Sequence, residues 1–557
     1  MKKTINTPIA AKLNTANKIK VERRSLYQPL PPGGTLDTYQ GDWNFDTAAH
    51  LMRRASFGSS RTLINEAVSL GLDASVDRLL AEVEMPEPPV HSNFILDPTA
   101  PVGQTWVDKP HANIQGLANA RRNSMSAWTI GNIMNEGFSA KEKLVLFWHN
   151  HFVVAEIQDA RFEYLYFSNL RKHALGNFKD FVKAITIDVS MLRYLNGNQN
   201  TRVSPNENYA RELFELFTVG KGDLAGAGDY TTFTEQDVIQ AARILTGWRD
   251  VGHFGTIDID AVFRTRAHDD GDKALSHRFG NSVISNGAEN EYANLIDTIF
   301  EHQDLAAAEF IVTKLYRWYV YYEITEEIQR DIIVPLSHIL IANNFEITSV
   351  LVVLLKSEHF YDANSTGCFI KSPIDYLFSF FKPFNFNIST TLAGKYGAWL
   401  TMHRICAAMD QEIFAHPEVA GWKAYYQAPL YHEIWINSFS LNYRTGLNTL
   451  LIGIGIGMGN ERVIMDVLSL ALDIENASDP NLLIQELAKQ IYPRPIPDEQ
   501  QALLKEILIP GLPDEVWTTA YDDWKFDQDN QELRTAVDTQ LRALIGTMIN
   551  LPEFYLS

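Results

Sequence analysis

Apolar residues recur every three or four positions in one segment after another from residue 46 onward. Clear examples are segments 140–152, 162–175, 178–187, 234–245 and 306–321. This spacing places apolar side chains on one face of an α-helix. Asp46 is the predicted N-cap of the first helix, and a second helix is predicted over 63–80. Only the Gly- and Asp-rich interval 246–287 contains strand-like pieces, such as 256–263. The sequence therefore predicts a mainly α, multi-helix globular fold with a small irregular or β-hairpin insertion near residues 250–287.

The chain divides into three predicted regions. Residues 1–42 form a polar leader that ends in closely spaced prolines and glycines, which predicts a flexible N-terminal arm. Residues 43–250 are predicted to form a helical N-terminal lobe and residues 251–557 a helical C-terminal lobe. A hydrophobic content of 46% in 557 residues is enough for a large core. We expect the two lobes to pack as one unit.

The charge balance and the apolar stretches limit the partners and the location. The net charge of −20 would repel phosphate backbones, so nucleic acid is excluded as a general partner. The longest apolar stretch, 447–458, contains three glycines and is shorter than the roughly 20 residues that span a bilayer. We therefore expect no transmembrane segment. Because the N-terminal residues lack the apolar run of a secretory leader, we expect a cytoplasmic protein.

The strongest local signal is segment 204–217, whose sequence is SPNENYARELFELF. Ser204 is the predicted N-cap, with Pro205 at the first helical position and Glu207 at the third. At 100° per residue the helix has an apolar side and a polar side. The polar side carries Glu207, Asn208, Arg211, Glu212 and Glu215.

Two interpretations of this polar face are open. In the first, it is a solvated face on which Arg211 bridges Glu207 and Glu215 at a spacing of four residues. In the second, carboxylates held on a rigid helix bind a cation or act as acid and base, and Glu212 and Glu215 lie one turn apart for this purpose.

A second candidate is the pair His149 and His151, which lies in the apolar run 144–154. On a strand the two imidazoles would face the same way and could both ligate a metal ion. On a continuous helix they would point about 200° apart and could not. The pattern of residues 141–154 fits a helix better. The alternative to ligation is a pair of hydrogen-bonded core or interface histidines.

A third cluster of ionisable residues, which includes His268, surrounds Gly271 in segment 264–273. Loops often carry function, but a charged surface loop is the ordinary interpretation. The sequence lacks a phosphate-binding loop, an HExxH helix, a GxSxG elbow and a dinucleotide fingerprint. It therefore gives no support for nucleotide-dependent catalysis.

Several of these segments resemble a known family. Segments 205–220 and 234–248, together with HLMRRASFG at 50–58 and FWHNHF at 147–152, are similar to the bacterial domain-of-unknown-function family 1800. The resemblance covers about residue 46 to the C-terminus. It implies a helical fold and frequent genomic association with a second uncharacterised, sulfatase-like family, which is the one partner it suggests. It carries no agreed activity. Many members look exported, whereas this sequence shows no hydrophobic leader.

Two functional hypotheses follow. The first is a metal-assisted hydrolase or related enzyme with a His/Glu cleft between segments 144–154 and 206–217. Its metal ligands would be His149, His151, Glu212 and Glu215, its cofactor a divalent metal ion, and its proton-transfer group Glu207 or His268. The second is a non-catalytic binding or assembly protein in which the polar cluster is structural. The network residues would be Asn206, Asn208, Arg211 and Arg243.

Overall fold

The computed structural model describes residues 30–255 and 258–557. The helices of the first half are α1 (Phe45–Ala55), α2 (Arg61–Leu70), α3 (Leu72–Leu79), α4 (Leu117–Asn135), α5 (Lys141–His151), α6 (Ala160–His173), α7 (Phe178–Thr186), α8 (Val189–Tyr194), α9 (Asn208–Glu212) and α10 (Glu235–Ile244). A π-helical turn, Leu213–Thr218, continues α9 without a break.

The second half is also helical. Its helices are α11 (Glu291–His302), α12 (Asp304–Tyr319), α13 (Glu326–Ile328), α14 (Val334–Ala342), α15 (Ile347–Lys356), α16 (Pro373–Phe381), α17 (Leu392–Ala408), α18 (Ser438–Ile452), α19 (Val467–Leu472), α20 (Pro480–Ile491), α21 (Asp498–Leu508), α22 (Asp514–Phe526) and α23 (Gln531–Met548). Among the described residues, none of these helices combines the length and the apolar character needed to span a bilayer.

The strands form only small antiparallel pairs. They are β1 (Leu224–Gly226) with β2 (Asp229–Tyr230), β3 (Trp248–Val251) with β4 (Asp260–Phe263), β5 (Lys273–Ala274) with β6 (Val283–Ile284), and β7 (Ile456–Met458) with β8 (Glu461–Val463). In the β3–β4 pair, Trp248 lies opposite Phe263. The predicted mainly α fold with a hairpin insertion near residues 250–287 is thus confirmed.

Two local predictions are wrong. Asn44, rather than Asp46, caps α1, because the Asn44 side chain accepts hydrogen bonds from the backbone amides of Asp46 and Thr47. The single helix predicted over 63–80 is two helices. They meet at Gly71, whose φ of 82° is a left-handed conformation that glycine adopts without steric cost and that a helix cannot include.

Of the predicted N-terminal arm, residues 1–29 lie outside the described residues. Residues 35–40 lie against the body of the protein, and the backbone amide of Tyr39 donates to the carbonyl of Lys356 at 2.8 Å. The ring of Tyr39 packs on that of Tyr361, with centroids 4.6 Å apart. This stretch is therefore held by both a backbone hydrogen bond and an aromatic contact.

Helix packing brings the singled-out segments together. Helix α5 is buried along nearly its whole length and packs on α6, while α9 packs on α10. Helix α12 packs on α14 and also contacts the π-helical turn. The C-terminal end of α5, the π-helical turn and the middle of α12 consequently meet at one place in the molecule.

Candidate functional site

The signature helix, which we define as α9 with its π-helical turn (residues 208–218), starts later than the sequence predicts. Glu207 is the N-cap and makes no side-chain capping hydrogen bond, while the Oδ1 of Asn206 accepts a hydrogen bond from the Asn208 amide at 2.9 Å. The amide of Ser204 donates to the Thr201 carbonyl in a preceding turn. The prediction of Ser204 as N-cap is wrong, because this turn comes first and the helix begins only at Asn208.

The polar face of the signature helix is an ion-pair network around Arg211. Its guanidinium makes two hydrogen bonds to Glu235 at the start of α10, at 2.8 and 3.1 Å. It also lies 3.3 Å from a carboxylate oxygen of Glu207 and 3.4 Å from one of Glu215. The hydrogen bonds from Arg211 lower the pKa of Glu235. Every member is partly exposed, so this network ties α9 to α10 at the surface.

Glu212 stands apart from that network. It forms no hydrogen bond and no ion pair with any residue that the structure describes, Arg211 and Arg243 included. Burial raises the pKa of Glu212, and the nearby Glu215 carboxylate adds to the rise. The charged form of Glu212 is therefore disfavoured by its surroundings.

His268 lies in a second, buried network. Its Nε2 is 2.9 Å from Glu291 Oε1, and the other carboxylate oxygen of Glu291 accepts from Lys273 at 2.6 Å. His268 Nδ1 faces the Thr246 carbonyl at 2.9 Å. Both ring nitrogens of His268 are therefore engaged by oxygen atoms of the protein.

Arg243 borders this second network. It binds Asp269 through two hydrogen bonds of 2.8 and 3.0 Å. The hydrogen bond to Asp269 raises the pKa of Arg243, and the reciprocal contact lowers the pKa of Asp269. Glu207 and His268, the two proposed proton-transfer groups, thus belong to different networks.

His149 is fully buried and both of its ring nitrogens are occupied. Nε2 accepts a hydrogen bond from the backbone amide of Phe414 at 3.2 Å, and Nδ1 lies 3.1 Å from the Tyr166 hydroxyl. Because Tyr166 donates its own proton to the Phe152 carbonyl, His149 Nδ1 must carry the proton. Burial lowers the pKa of His149 well below its ordinary value, so the ring is neutral.

His151 closes the C-terminal end of the signature helix. A helix end leaves its last carbonyls without intrahelical donors. His151 Nε2 donates to the Phe217 carbonyl at 3.2 Å, and Lys314 Nζ donates to the Leu216 carbonyl at 3.1 Å. Lys314 also donates to His151 Nδ1 at 3.1 Å. Burial, followed by the nearby Lys314, lowers the pKa of His151 well below its ordinary value.

These positions do not assemble the four residues predicted to ligate a metal ion. His149 and His151 lie on one continuous helix and contact different partners, which is the arrangement expected for a helical pair. Glu215 is engaged by Arg211 and by Lys221. Over residues 30–255 and 258–557, no group of three or more His, Cys, Asp or Glu side chains is placed to hold a metal ion.

A cleft of about 270 Å³ opens beside His151. Four parts of the chain form it, namely the end of α5, the π-helical turn, one face of α12 and the loop 420–426. The lining residues are Phe147, Asn150, His151, Leu216, Phe310, Thr313, Lys314, Arg317, Trp318, Ala420, Tyr425 and Tyr426. Aromatic side chains dominate, and none of the described residues that line it is acidic.

One face of α12 supplies the basic groups of the cleft. Phe310, Thr313, Lys314 and Arg317 follow the spacing of three and four residues that aligns side chains on one side of a helix. Gly220, with φ 72°, ends the signature helix and lets the Phe310 ring approach, because a Cβ there would lie 2.7 Å from the ring. The signature helix and the α12 face are thereby held together.

The guanidinium of Arg317 lies over the Tyr431 ring, 5.7 Å from its centroid, and has no counter-charge among the described residues. Its Nε donates to the Tyr322 carbonyl at 3.1 Å. Its two terminal nitrogens form no hydrogen bond or ion pair with the described part of the chain, and they are not sealed from solvent. Burial lowers the pKa of Arg317, so the surroundings oppose its charge.

A smaller cavity of about 30 Å³ shares the lining residues Arg317, Trp318 and Tyr425 with the cleft. Lys143 and Arg54 also line this smaller cavity. Lys143 is paired with Asp375, whereas Arg54 donates to the carbonyls of Tyr319 and Trp318 at 3.0 and 3.2 Å. Asp375 is the one acid among the described residues that line this cavity. The cleft and this smaller cavity are therefore lined by more basic than acidic side chains.

Comparison with known proteins identifies the family. A family model described as "Protein of unknown function (DUF1800)" matches residues 50–556. The chain belongs to this family. The DUF1800 match includes the signature helix, both histidines of α5 and the cleft-lining face of α12. No curated protein matches the chain, and no solved structure matches it.

Sequence reasoning missed Lys314 and Arg317. The signal that could have found them is the composition of α12, where two basic residues share one face of a helix that is otherwise largely apolar. Buried or half-buried basic residues need a counter-charge or a ligand. Nothing in the linear sequence shows that this face lies beside His151, which is more than 160 residues away.

Proposed function

We propose that the protein binds a small anionic molecule with an aromatic or other apolar portion in the cleft beside His151. The observation that carries this proposal is the Arg317 guanidinium, whose terminal nitrogens have no hydrogen-bond partner among the described residues and which lies at the wall of a cleft lined mainly by aromatic side chains.

The chemistry of the cleft selects the ligand class. A guanidinium offers two parallel N–H donors that match a carboxylate or phosphate, and such charge-assisted pairs are strong where water is excluded. The rings of Phe310 and Trp318 offer an apolar surface beside Arg317. A volume of about 270 Å³ is at the small end of ligand pockets, which favours a compact molecule over a polymer.

This proposal is a specific form of the binding alternative raised by the sequence. It uses neither the Arg211 network nor the His268 network, both of which have their charges paired within the protein. The metal-assisted hydrolase stays a prediction. It requires His149 or His151 at one ion with Glu212 and Glu215, and no contact among the described residues supports that set.

The test compares an acid with its uncharged analogue by isothermal titration calorimetry. We expect 3-phenylpropionate to bind the wild-type protein and 3-phenylpropionamide to bind at least about tenfold more weakly, because the amide loses the charge-assisted hydrogen bonds. Equal affinity for the acid and the amide would contradict the proposal.

Two arginine variants locate the site. Arg317→Gln should weaken binding of 3-phenylpropionate by about 10- to 100-fold, the loss expected when a charge-assisted hydrogen-bond pair is removed. Arg330→Gln is the matched control, since Arg330 is an exposed arginine paired with Asp331 on another helix. Its affinity should equal that of the wild type. Equal weakening in both variants would show a nonspecific charge effect.

A further inference from the structure

Lys314 has an unusual set of partners at the wall of the cleft. Its Nζ donates to the Leu216 carbonyl and to His151 Nδ1, each at 3.1 Å. Both acceptors are fixed. The carbonyl belongs to the end of the signature helix, and the ring of His151 is held because its Nε2 donates to the Phe217 carbonyl. Lys314 forms no ion pair with any of the described residues.

Nζ also lies 4.4 Å from the centroid of the Phe310 ring, and its two hydrogen-bond acceptors suit an uncharged amine. A neutral amine has two hydrogens and one lone pair, and the two acceptors take both hydrogens. No described residue donates a hydrogen bond to the lone pair. The surroundings also favour the uncharged form, since burial and, second, the nearby Arg317 guanidinium lower the pKa of Lys314 to about 7. A desolvated lysine beside a second cation is a recognised way of activating a nucleophilic amine.

We propose that Lys314 forms an imine with a 2-oxo acid held in the cleft by Arg317. The inference rests on the proposed function and names the ligand class of the same site. Lys314 and Arg317 are three residues apart on one face of α12, a spacing that separates their Cβ atoms by about 5–6 Å. In a 2-oxo acid the carboxylate and the ketone are adjacent, so a carboxylate on Arg317 places the carbonyl carbon toward Lys314.

The step balances without an oxidant or a further reactant. The Nζ lone pair attacks the carbonyl carbon, a C–N bond forms, and the π electrons of the carbonyl move to its oxygen. One amine proton moves to that oxygen and gives a carbinolamine. The C–O bond then breaks, and the oxygen leaves with the second amine proton as water. The remaining C=N double bond joins Lys314 to the acid, and in its protonated form the nitrogen keeps one N–H for Leu216 or His151.

The test traps the imine by reduction. The full-length protein is incubated with phenylpyruvate and sodium cyanoborohydride, and its mass is measured. We expect one adduct per chain, with a mass increase equal to that of phenylpyruvic acid less one oxygen atom. Peptide mapping should place the adduct on Lys314. Adducts spread over exposed lysines, or no adduct at all, would overturn the inference.

A variant and a second ligand separate this inference from the proposed function. Lys314→Arg keeps hydrogen-bond donors at this position but cannot form the imine, so it should yield no adduct. If the wild type binds 3-phenylpropionate yet gives no adduct with phenylpyruvate, the imine is wrong and the binding function stands. If the wild type binds neither acid, both proposals fall. Equal labelling of Lys314→Arg and the wild type would also overturn the imine.

Discussion

The polar face and the C-terminal end of the signature helix differ in how their charged side chains are paired. On its polar face, Arg211 is surrounded by three carboxylates, and all of these groups are partly exposed. At its C-terminal end, Lys314 donates to a helix carbonyl, and Arg317 has no counter-charge among the described residues and lies in a concave, aromatic setting. The first arrangement stabilises helix contacts in water, whereas the second leaves a positive charge that an anionic ligand can neutralise. The density of ionisable residues in a segment is therefore a poorer guide to function than uncompensated charge.

The largest expected effect on stability is at the buried end of the helix. His151→Phe removes the donor to the Phe217 carbonyl and leaves Lys314 with only the Leu216 carbonyl as acceptor. We expect the free energy of unfolding to fall by about 2–4 kcal/mol, measured by chemical denaturation. His173→Phe is the matched control, because the His173 ring stacks on Phe181 and makes no hydrogen bond to the described residues. Similar losses in both variants would contradict the capping role.

The pH dependence of stability should separate the two ends. The folded-state pKa of His151 lies well below its ordinary 6.5, so only the unfolded state gains this proton as the pH falls below 6.5. The contribution is present above pH 6.5 and is lost on acidification, at up to about 1.4 kcal/mol per pH unit. His151→Phe should therefore show a shallower loss of stability between pH 6.5 and 4.5 than the wild type.

Arg211→Gln provides the other half of that comparison. Glu235 has a lowered pKa in the folded protein, so its contribution is present above its ordinary value of 4.5 and is lost only below it. The variant should keep the wild-type slope between pH 6.5 and 4.5. A variant of Arg211 with a shallower slope in this window would contradict the assignment of the slope to the buried histidine.

The effect of Arg211→Gln on stability at neutral pH should be smaller. Its ion pairs are partly exposed, and pairs of this kind contribute about 0–1 kcal/mol each. We expect a loss of about 1 kcal/mol in denaturant titrations and unchanged affinity for 3-phenylpropionate. A fall in affinity as large as that of Arg317→Gln would place the ligand on the polar face.

The smallest effect is expected for Glu212→Gln. Glu212 has no partner among the described residues, and its surroundings disfavour the charged form, so an uncharged isostere should change stability by less than about 0.5 kcal/mol. Thermal denaturation and elemental analysis of the same samples check this. A wild-type protein that carries stoichiometric metal and loses it in this variant would instead support the metal hypothesis.

The helical fold and most helices could be predicted from the sequence, because apolar periodicity is a local property. The exact ends of the helices were harder to predict. Asn44 caps α1 in place of Asp46, since polar residues of similar capping strength stand close together, and the signature helix begins at Asn208 rather than just after Ser204. The π-helical turn over Leu213–Thr218 has no sequence signal that distinguishes it from an α-helix.

The candidate site was partly predictable. The sequence singled out His151, and the helical interpretation of segment 141–154 correctly separates it from His149. The partners of His151 could not be predicted, because Lys314 and the 420–426 loop reach it through tertiary packing over large sequence separations. The density of carboxylates in segment 204–217 suggested a functional site there. In the structure, Glu207 and Glu215 of this segment form ion pairs with Arg211.

A crystal structure of the protein with 3-phenylpropionate tests the central claim most directly. The account predicts a carboxylate hydrogen-bonded to the terminal nitrogens of Arg317, with the phenyl ring against Trp318 and Phe310. The Arg211 network should be unchanged and free of ligand. A ligand bound on the polar face of the signature helix, or a cleft that stays empty at saturating concentration, would contradict it.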